Sequence, residues 1–306
     1  MNVKVAANDK NAGSSSSARP VELDAASVSG MMPARGASSR KGQNGKALIV
    51  GGSYLYHGAP ILASLAALRY GADLVYTAVP PVNVAATRAA SPDLIVIPMA
   101  DAKLTRGSVS KLLGMAPTGL DSAAIGMGLA VHERGALLKL VRSLTDMDVR
   151  LVLDASALVP EVLRHLTGTN SVVTPHEGEF RHMFGEAPPP QSDMRSRTRA
   201  VAALAAEHGI TILLKGRTDV ISDGSATYLC SLGTPGMTTG GTGDVLAGLV
   251  AGALAASRNP AESAAAAAYI NGRAGADITA THGYHMVASD LLVAIPRVLR
   301  EFDVAE

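Results

Sequence analysis

Cysteine is almost absent from this sequence, since Cys230 is the only one among 306 residues. One thiol excludes an intrachain disulfide framework and a cysteine-based metal cluster, and it fits a reducing compartment. Its neighbours, in TYLCSL, are typical of a strand, where a thiol serves as a small core side chain. We therefore expect Cys230 to have a packing role.

An excess of charge of either sign is also missing. The chain has 27 Lys and Arg against 26 Asp and Glu, a formal net charge of +1, and the two signs are mixed along its length. Proteins that bind nucleic acid or acidic membranes through charge carry a basic patch. We therefore expect no nucleic acid and no membrane surface as partner.

Long apolar runs are the third absence. The longest uncharged one, residues 245–257, has the length of a core helix and falls short of the roughly 20 residues needed to span a bilayer. The N-terminus shows neither the apolar core of a secretory signal nor an Arg-rich transit helix. The sequence predicts a cytoplasmic protein without a membrane segment.

Two regions differ in composition. Residues 1–40 include a run of four serines and few large apolar side chains, so they bury too little surface to offset the entropy of ordering. We predict a disordered tail there. With 47% hydrophobic residues the whole chain can build a sizeable core, and no linker interrupts residues 41–306. We predict one domain over that range.

Short apolar runs alternate with helical patterns along this domain. Strands are predicted at KALIV, DLVYTAV, DLIVIPM, SAAIGMG, VRLVLDA, SVVTP and TILLKG, and helices at GAPILASLAALRY, GALLKLVRSL and SRTRAVAALAAEH. This alternation is typical of an α/β fold with an open, mostly parallel sheet covered by helices on both faces. In such a sheet the ligand binds at the carboxyl ends of the strands.

The stretch GTPGMTTGGTGDVLAG, residues 233–248, has six glycines and four threonines among sixteen residues. This composition cannot pack a core, but it can gather bare N–H groups in a tight turn. The apolar run after Asp244 predicts a buried helix whose positive end faces the turn. The sequence therefore predicts a site for a phosphate or a developing oxyanion, although a plain helix cap at Asp244 also fits.

Five segments carry a family resemblance, in order and without large gaps from about Lys46 to Arg300: GGSYLYHGAPILASLAALRYGADLV, TPHEGEF, LLKGRTDVI, GMTTGGTGDVLAG and ASDLLVAIP. They resemble the ADP- or ATP-dependent NAD(P)H-hydrate dehydratases of the ribokinase-like superfamily. The resemblance implies a three-layer α/β/α sandwich with a central, mostly parallel sheet. It also implies the repair of (6S)-NADHX and (6S)-NADPHX, the hydrated forms of the reduced nicotinamide cofactors.

The implied reaction has two steps and uses Mg²⁺. A nucleotide phosphorylates the hydroxyl beside the ring nitrogen, and the nitrogen lone pair then expels phosphate. ADP, giving AMP, is the expected donor and ATP the alternative, since the sequence itself does not decide between them. The aspartate matching Asp244 accepts the hydroxyl proton. Because a helix N-terminus lowers the pKa of a carboxyl, we expect Asp244 to be a weak base at rest that takes the proton late.

Site residues follow from the resemblance, motif by motif. The expected substrate-binding residues are Ala59, Gly128, His176 and Asp244. The expected nucleotide-binding residues are Lys215, Gly216, Arg217, Thr218, Asp219, Gly241, Thr242 and Gly243. Candidates for holding Mg²⁺ through water and nucleotide phosphates are Asp154 and Glu177 or Glu179, although the sequence has no tight carboxylate cluster. Taken singly, Ala59 also fits a helix start, Gly128 a turn and His176 a helix cap.

The chain departs from the family pattern at a few positions. Many relatives read GPGLG where it has GMGLA, and DADAL where it has DASAL, so Met127, Ala130 and Ser156 are expected to alter the substrate pocket or the metal shell. The first forty residues are too short for an epimerase domain, so we expect a separate epimerase as functional partner. The resemblance also suggests a homo-oligomer, in particular a tetramer.

Two other functions stay open. A small-molecule kinase of the same superfamily, acting on a vitamin precursor or a sugar, would carry the same glycine loop and aspartate; TPHEGEF and YHGAP favour the dehydratase branch over it. A nucleotide-sensing protein that has lost catalysis is the second alternative. The intact GTGD argues against it.

Overall fold

The computed structural model describes residues 19–36 and 38–303. In these ranges the strands are β1 (Val21–Glu22), β2 (Lys46–Val50), β3 (Leu74–Val79), β4 (Ile95–Pro98), β5 (Ser122–Ile125), β6 (Arg150–Leu153), β7 (Val172–Val173), β8 (Thr211–Leu214), β9 (Asp219–Ser222) and β10 (Thr227–Cys230). They form one sheet in the order β1-β10-β9-β8-β7-β6-β5-β2-β3-β4. Neighbouring strands are parallel except for β8–β9 and β9–β10. The sheet is mostly parallel, as the alternation of strands and helices predicts.

The helices of the described ranges are α1 (Ala25–Ser29), α2 (Gly58–Tyr70), α3 (Val84–Ala90), α4 (Arg106–Met115), α5 (Arg134–Thr145), α6 (Leu163–Leu166), α7 (Glu177–Phe184), α8 (Met194–His208), α9 (Thr242–Ala256), α10 (Pro260–His282) and α11 (Ala288–Leu299). Not one of these described helices combines the length and apolar character that crossing a membrane requires.

Two apolar cores lie on opposite faces of the sheet. Successive side chains of a strand point to opposite faces, and β2 shows this directly. Ala47 and Ile49 belong to the core that includes α2, α9, α10 and α11, whereas Leu48 and Val50 belong to the core that includes α4, α5, α7 and α8. The predicted three-layer α/β/α sandwich is therefore confirmed.

Helices α2 and α9 pack backbone to backbone. A Cβ on Gly248 would collide with the carbonyl oxygen of Ala63, and one on Gly252 would lie 2.9 Å from that of Ala67. Small residues on both helices permit this approach, because any larger side chain would separate the axes. The close contact fixes the N-terminus of α9 relative to that of α2.

The prediction of disorder for residues 1–40 is wrong for residues 21–29. Strand β1 pairs in parallel with β10, and α1 follows it. The Asp24 carboxylate caps α1 by accepting from the Ser27 N–H at 2.8 Å, and Val28 is fully buried. Few apolar residues suffice here because they add to the existing core instead of forming one of their own. Residues 1–18 lie outside the described residues.

Candidate active site

The glycine-rich stretch forms the N-terminus of α9. Gly241 is the N-cap and has a φ of 99°, in the left-handed region that favours glycine. The Thr242 hydroxyl donates to the Met237 carbonyl at 2.8 Å, which ties the loop to the helix start. Gly243 and Asp244 lie in the first helical turn, where N–H groups have no acceptor within the helix. This turn therefore presents free donors and the positive end of the helix dipole.

Two cavities meet at this turn. Cavity A, of about 760 Å³, is lined by Lys215, Thr242 and Gly243 among others. Cavity B, of about 640 Å³, is lined by Asp244 among others. Consecutive residues of one helix therefore line two different cavities. Groups bound in cavities A and B would approach each other at the start of α9.

Cavity B lies at the carboxyl ends of three neighbouring strands. Ser53 follows β2, Gly126 follows β5 and Ser156 follows β6, and all three line the cavity. Gly126 has a φ of 124°, and a Cβ there would collide with the Asp154 carbonyl oxygen, so glycine is required. The site thus lies where an open α/β sheet is expected to bind its ligand.

Three of the predicted substrate-binding residues come together in cavity B, namely Ala59, Gly128 and Asp244. A Cβ on Gly128 would lie 2.7 Å from the Cβ of Tyr56 and 3.2 Å from that of Ala59. Glycine at this position lets the walls of the cavity close on each other. Ala59 also lies in the first turn of α2, so the simpler structural role holds as well.

A lysine and two carboxylates lie next to one another beside the start of α9. The Lys215 ammonium donates to Oδ1 of Asp154 at 2.8 Å and lies 3.7 Å from Oε2 of Glu179. Asp154 is buried and also accepts from the Thr174 hydroxyl at 2.8 Å. Burial alone would lower the pKa of Lys215, but the two carboxylates outweigh it and raise that pKa. Lys215 is therefore charged and held in place.

The expected direction of the Asp244 pKa is wrong. Burial raises the pKa of Asp244 to about 6, and the carboxylates of Asp154 and Glu179 add to the rise while Lys215 opposes it. Desolvation and repulsion outweigh the helix dipole here. A carboxyl with a pKa close to neutral is a better proton acceptor than an unperturbed one, and such a group in a cleft is typical of a catalytic base.

Most of the predicted nucleotide-binding residues line cavity A: Lys215, Gly216, Arg217, Asp219, Thr242 and Gly243. Asp219 accepts from the Gly216 N–H at 2.9 Å, which shapes the loop after β8. Burial raises the pKa of Asp219 to about 6. The loop therefore presents Lys215, Arg217 and backbone groups to cavity A, and the Asp219 carboxylate holds the loop through the Gly216 N–H.

Three predicted residues lie elsewhere. Thr218 lines a separate cavity of about 490 Å³, and a Cβ on Gly241 would point at Leu62 and Ala288. Nδ1 of His176 accepts from the N–H groups that follow it, so His176 caps α7 and does not line cavity B. The structure thus gives Gly241 and His176 local roles in packing and capping.

The three departures from the family pattern divide in two. Met127 is fully buried in the core. Ala130 and Ser156 line cavity B, and the Ser156 hydroxyl donates to the Gly126 carbonyl at 3.0 Å. The departures that change the shape of cavity B are therefore Ala130 and Ser156.

Glu177 is turned away from the start of α9. Its carboxylate forms an ion pair at 3.0 Å with the fully buried Arg197 guanidinium and accepts a hydrogen bond from the Gln191 amide at 3.4 Å. Of the three candidate carboxylates, only Asp154 and Glu179 lie beside Lys215 and influence Asp244. Across residues 19–36 and 38–303 no group of three His, Cys, Asp or Glu side chains is arranged to hold a metal ion.

Sequence reasoning missed Asn271 and Tyr284, which line cavity A from α10 and from the loop after it. Oδ1 of Asn271 is buried and has no hydrogen-bond partner within the described part of the chain. The amide inside the alanine-rich run AAAAAYINGRAG is the signal that could have identified it. Cys230, expected to pack, is buried and also lines cavity A, where burial raises its pKa to about 12.

Comparison with known proteins decides the family. Residues 47–297 match the family model described as NAD(P)H-hydrate dehydratase. The chain belongs to the NAD(P)H-hydrate dehydratase family. All five segments that carry the resemblance lie within this range.

Similar proteins within this family cover nearly the whole chain. An ADP-dependent (S)-NAD(P)H-hydrate dehydratase from Cenarchaeum symbiosum is 62% identical over 275 residues, 90% of this chain and 95% of the relative. A bifunctional NAD(P)H-hydrate repair enzyme from Pyrobaculum aerophilum is 46% identical over 88% of this chain, which spans 53% of that protein. The crystal structure of the ADP/ATP-dependent NAD(P)H-hydrate dehydratase from Bacillus subtilis, co-crystallised with ATP and Mg²⁺, superposes with a TM-score of 0.77 at 27% identity and covers 90% of this chain and 96% of that one.

Proposed function

We propose that this chain is a carbon–oxygen lyase that dehydrates (6S)-NADHX and (6S)-NADPHX to NADH and NADPH, with ADP as the phosphoryl donor. The single observation that supports this most is that Gly243 and Asp244 line different cavities at one helix N-terminus. Phosphoryl transfer needs two bound molecules that meet at a point of charge stabilisation. The family and the name of the Cenarchaeum relative supply the substrate and the donor; the name of the Bacillus relative keeps ATP as the alternative.

In this proposal cavity A takes the nucleotide and cavity B the hydrated cofactor. The phosphates lie against Lys215 and the free N–H groups of Gly243 and Asp244, which offset their negative charge. The hydroxyl of the hydrated ring lies against the Asp244 carboxylate. Ala59 and Gly128 form the wall of cavity B beside the ring.

The reaction then proceeds in two steps. The ring hydroxyl oxygen attacks the terminal phosphorus of ADP, the bond from that phosphorus to the bridging oxygen breaks, AMP leaves, and the hydroxyl proton passes to Asp244. The lone pair of the ring nitrogen then expels phosphate from the neighbouring carbon, and loss of a proton from the adjacent ring carbon restores the dihydropyridine. A pKa of about 6 leaves Asp244 mostly ionised at neutral pH and ready to accept the proton.

The residues near the α9 start fit an Mg²⁺ ion that arrives with the nucleotide. Magnesium is commonly held by one or two carboxylates together with substrate phosphates and waters, and Asp154 and Glu179 are the carboxylates in position for this. When bound, the ion would neutralise charge on the transferred phosphoryl group. Lys215 already engages both carboxylates, so their contact with the ion would run through water.

Several expectations stay predictions. Three of them concern site residues: the binding of substrate by His176 and the binding of nucleotide by Thr218 and Gly241. The others are the homotetramer, the cytoplasmic location and the pairing with a separate epimerase. Light scattering of the purified protein tests the oligomer, and a monomer at working concentration would overturn it.

The test of the function mixes purified protein with NADHX, Mg²⁺ and either ADP or ATP, and follows dihydronicotinamide absorbance near ~340 nm while AMP and phosphate are quantified. We expect recovery with ADP, with one AMP and one phosphate formed per NADH. Nucleotide binding without recovery would refute the dehydratase and favour the small-molecule kinase. Glu207→Gln, a change at an exposed residue of α8, is the matched control for substitutions of carboxylates in the site.

A further inference from the structure

Three consecutive large side chains stand in solvent at the edge of cavity B. Tyr54, Leu55 and Tyr56 are 81%, 74% and 61% exposed, and all three line the cavity. Single exposed apolar residues are ordinary, but a contiguous group beside a cavity marks a binding surface. The buried residues Ser53, Gly126 and Leu129 line the same cavity, so the three exposed side chains lie at its mouth.

The loop that presents these side chains is fixed at its base. The Ser53 N–H donates to the Tyr56 carbonyl at 3.1 Å, and the Tyr56 N–H donates to the Ser53 hydroxyl at 3.2 Å. The buried Asn83 amide donates to the Ser53 carbonyl at 2.9 Å. Because the backbone is held in this way, the loop tip meets a ligand in a preformed shape, and little entropy is lost on binding.

One cation shares the mouth with the aromatic side chains. Lys103 is exposed and is the one Lys or Arg among the described residues that line cavity B. It forms no ion pair with another described residue. At the inner end of the same cavity lies the Asp244 carboxyl. The cavity therefore has its proton acceptor, Asp244, at the inner end and aromatic and cationic side chains at the mouth.

This distribution matches a ligand with one reacting ring and a long phosphate-containing tail. The proposed substrate is such a molecule, because its hydrated ring has to reach Asp244 while its diphosphate and adenosine extend outward. Aromatic side chains stack on bases, and a lysine ammonium pairs with phosphate oxygens. We propose that Tyr54, Tyr56 and Lys103 form an outer subsite for the adenylate half of the hydrated dinucleotide, with Tyr54 against the adenine and Lys103 against the diphosphate. This inference rests on the proposed function.

The test compares two substrates that share the reacting ring. One is NADHX, and the other is the hydrated reduced nicotinamide mononucleotide, which lacks the adenylate. For Tyr54→Ala we expect the kcat/KM for NADHX to fall at least about fivefold through a higher KM with kcat unchanged, and that for the mononucleotide to stay the same. For Lys103→Gln we expect a loss with both, since both keep a phosphate. Lys111→Gln and Val293→Ala, at exposed positions on α4 and α11, are the matched controls.

The outcomes separate this inference from the proposed function. Wild-type protein that fails to convert NADHX refutes the function itself. Wild-type protein that converts NADHX, combined with a Tyr54→Ala variant that loses the same factor with both substrates or loses nothing, refutes the outer subsite alone. If the mononucleotide is turned over too slowly, its inhibition constant against NADHX replaces its kcat/KM. A Tyr54→Ala variant that dissociates in light scattering and weakens with both substrates would assign the loop to contact with a second copy instead.

Discussion

Replacing Asp244 with Asn separates catalysis from stability in one residue. The substitution keeps the size of the side chain and removes the proton acceptor. We expect kcat for NADHX to fall about 10²- to 10⁴-fold, the range usual for loss of a general base. Nucleotide binding should persist, because Gly243 and Lys215 line cavity A independently of the carboxylate.

The same substitution should stabilise the free protein at neutral pH. The pKa of Asp244 rises from 3.8 in its unperturbed state to about 6 in the fold. A raised pKa means that the folded state favours the protonated form, so its contribution to stability is full below pH ~4 and is lost as the pH rises through about 6. Ionisation therefore costs the wild type about 3 kcal/mol at pH 7.5. This is an upper value for the stability gained by the variant, since Lys215 loses a charged partner there. Asn avoids this cost.

Two assays decide this prediction. Absorbance near ~340 nm gives the turnover, and denaturant unfolding at pH 4, 5, 6 and 7.5 gives the free energy of unfolding. Asp244→Asn should gain about 1–3 kcal/mol over wild type at pH 7.5 and almost nothing at pH 4. An Asn variant that retains turnover would refute the role of Asp244 as general base. A gain in stability that is independent of pH would refute the raised pKa of Asp244. Wild-type kcat/KM should also rise with pH through about 6.

Three more substitutions test the rest of the site. Lys215→Met should lower the free energy of unfolding by about 3–5 kcal/mol, because Asp154 is left buried without its partner. The double variant with Asp154→Asn should regain stability, but its KM for ADP should stay raised. Gly126→Ala should lose more than about 4 kcal/mol of stability or fail to fold, whereas Gly168→Ala, also at positive φ but with free space around it, should lose about 1 kcal/mol. Asn271→Leu should stabilise the free protein by about 1 kcal/mol, because the buried Oδ1 has no hydrogen-bond partner among the described residues. It should also weaken ADP binding in isothermal titration, because an amide is lost from the wall of cavity A; unchanged ADP affinity would contradict this.

Local patterns predicted the sheet and the central helix well. The strands from KALIV to TILLKG correspond to β2 to β8, and α9 begins inside the glycine stretch. Each of these features depends on residues close together in the chain, where periodicity and glycine content act directly. The meeting of Ala59, Gly128 and Asp244 followed from the resemblance and from the rule that ligands bind at strand ends.

What the sequence did not show depends on distant contacts. The pairing of β1 with β10 joins residues about 200 positions apart, and nothing in the short segment around Val21 announces it. The pKa of Asp244 depends on Asp154, Glu179 and Lys215, which come from three other places in the chain, so the local effect of the helix dipole gave the wrong direction. Asn271 matters only because α10 passes beside cavity A.

The contact between α2 and α9 lies one helical turn after Asp244, close to where cavities A and B meet. Helix α2 begins beside cavity B, and α9 begins where the two cavities meet. Since Gly248 touches the backbone of α2 with no side chain between them, no deformable layer absorbs a displacement, and both helix starts shift together. The spacing between the two helix starts, and with it the relative position of cavities A and B, therefore depends on glycine at position 248. A methyl group added at Gly248 would collide with the Ala63 carbonyl, so Gly248→Ala should push the two helix starts apart and lose stability, as expected for Gly126→Ala.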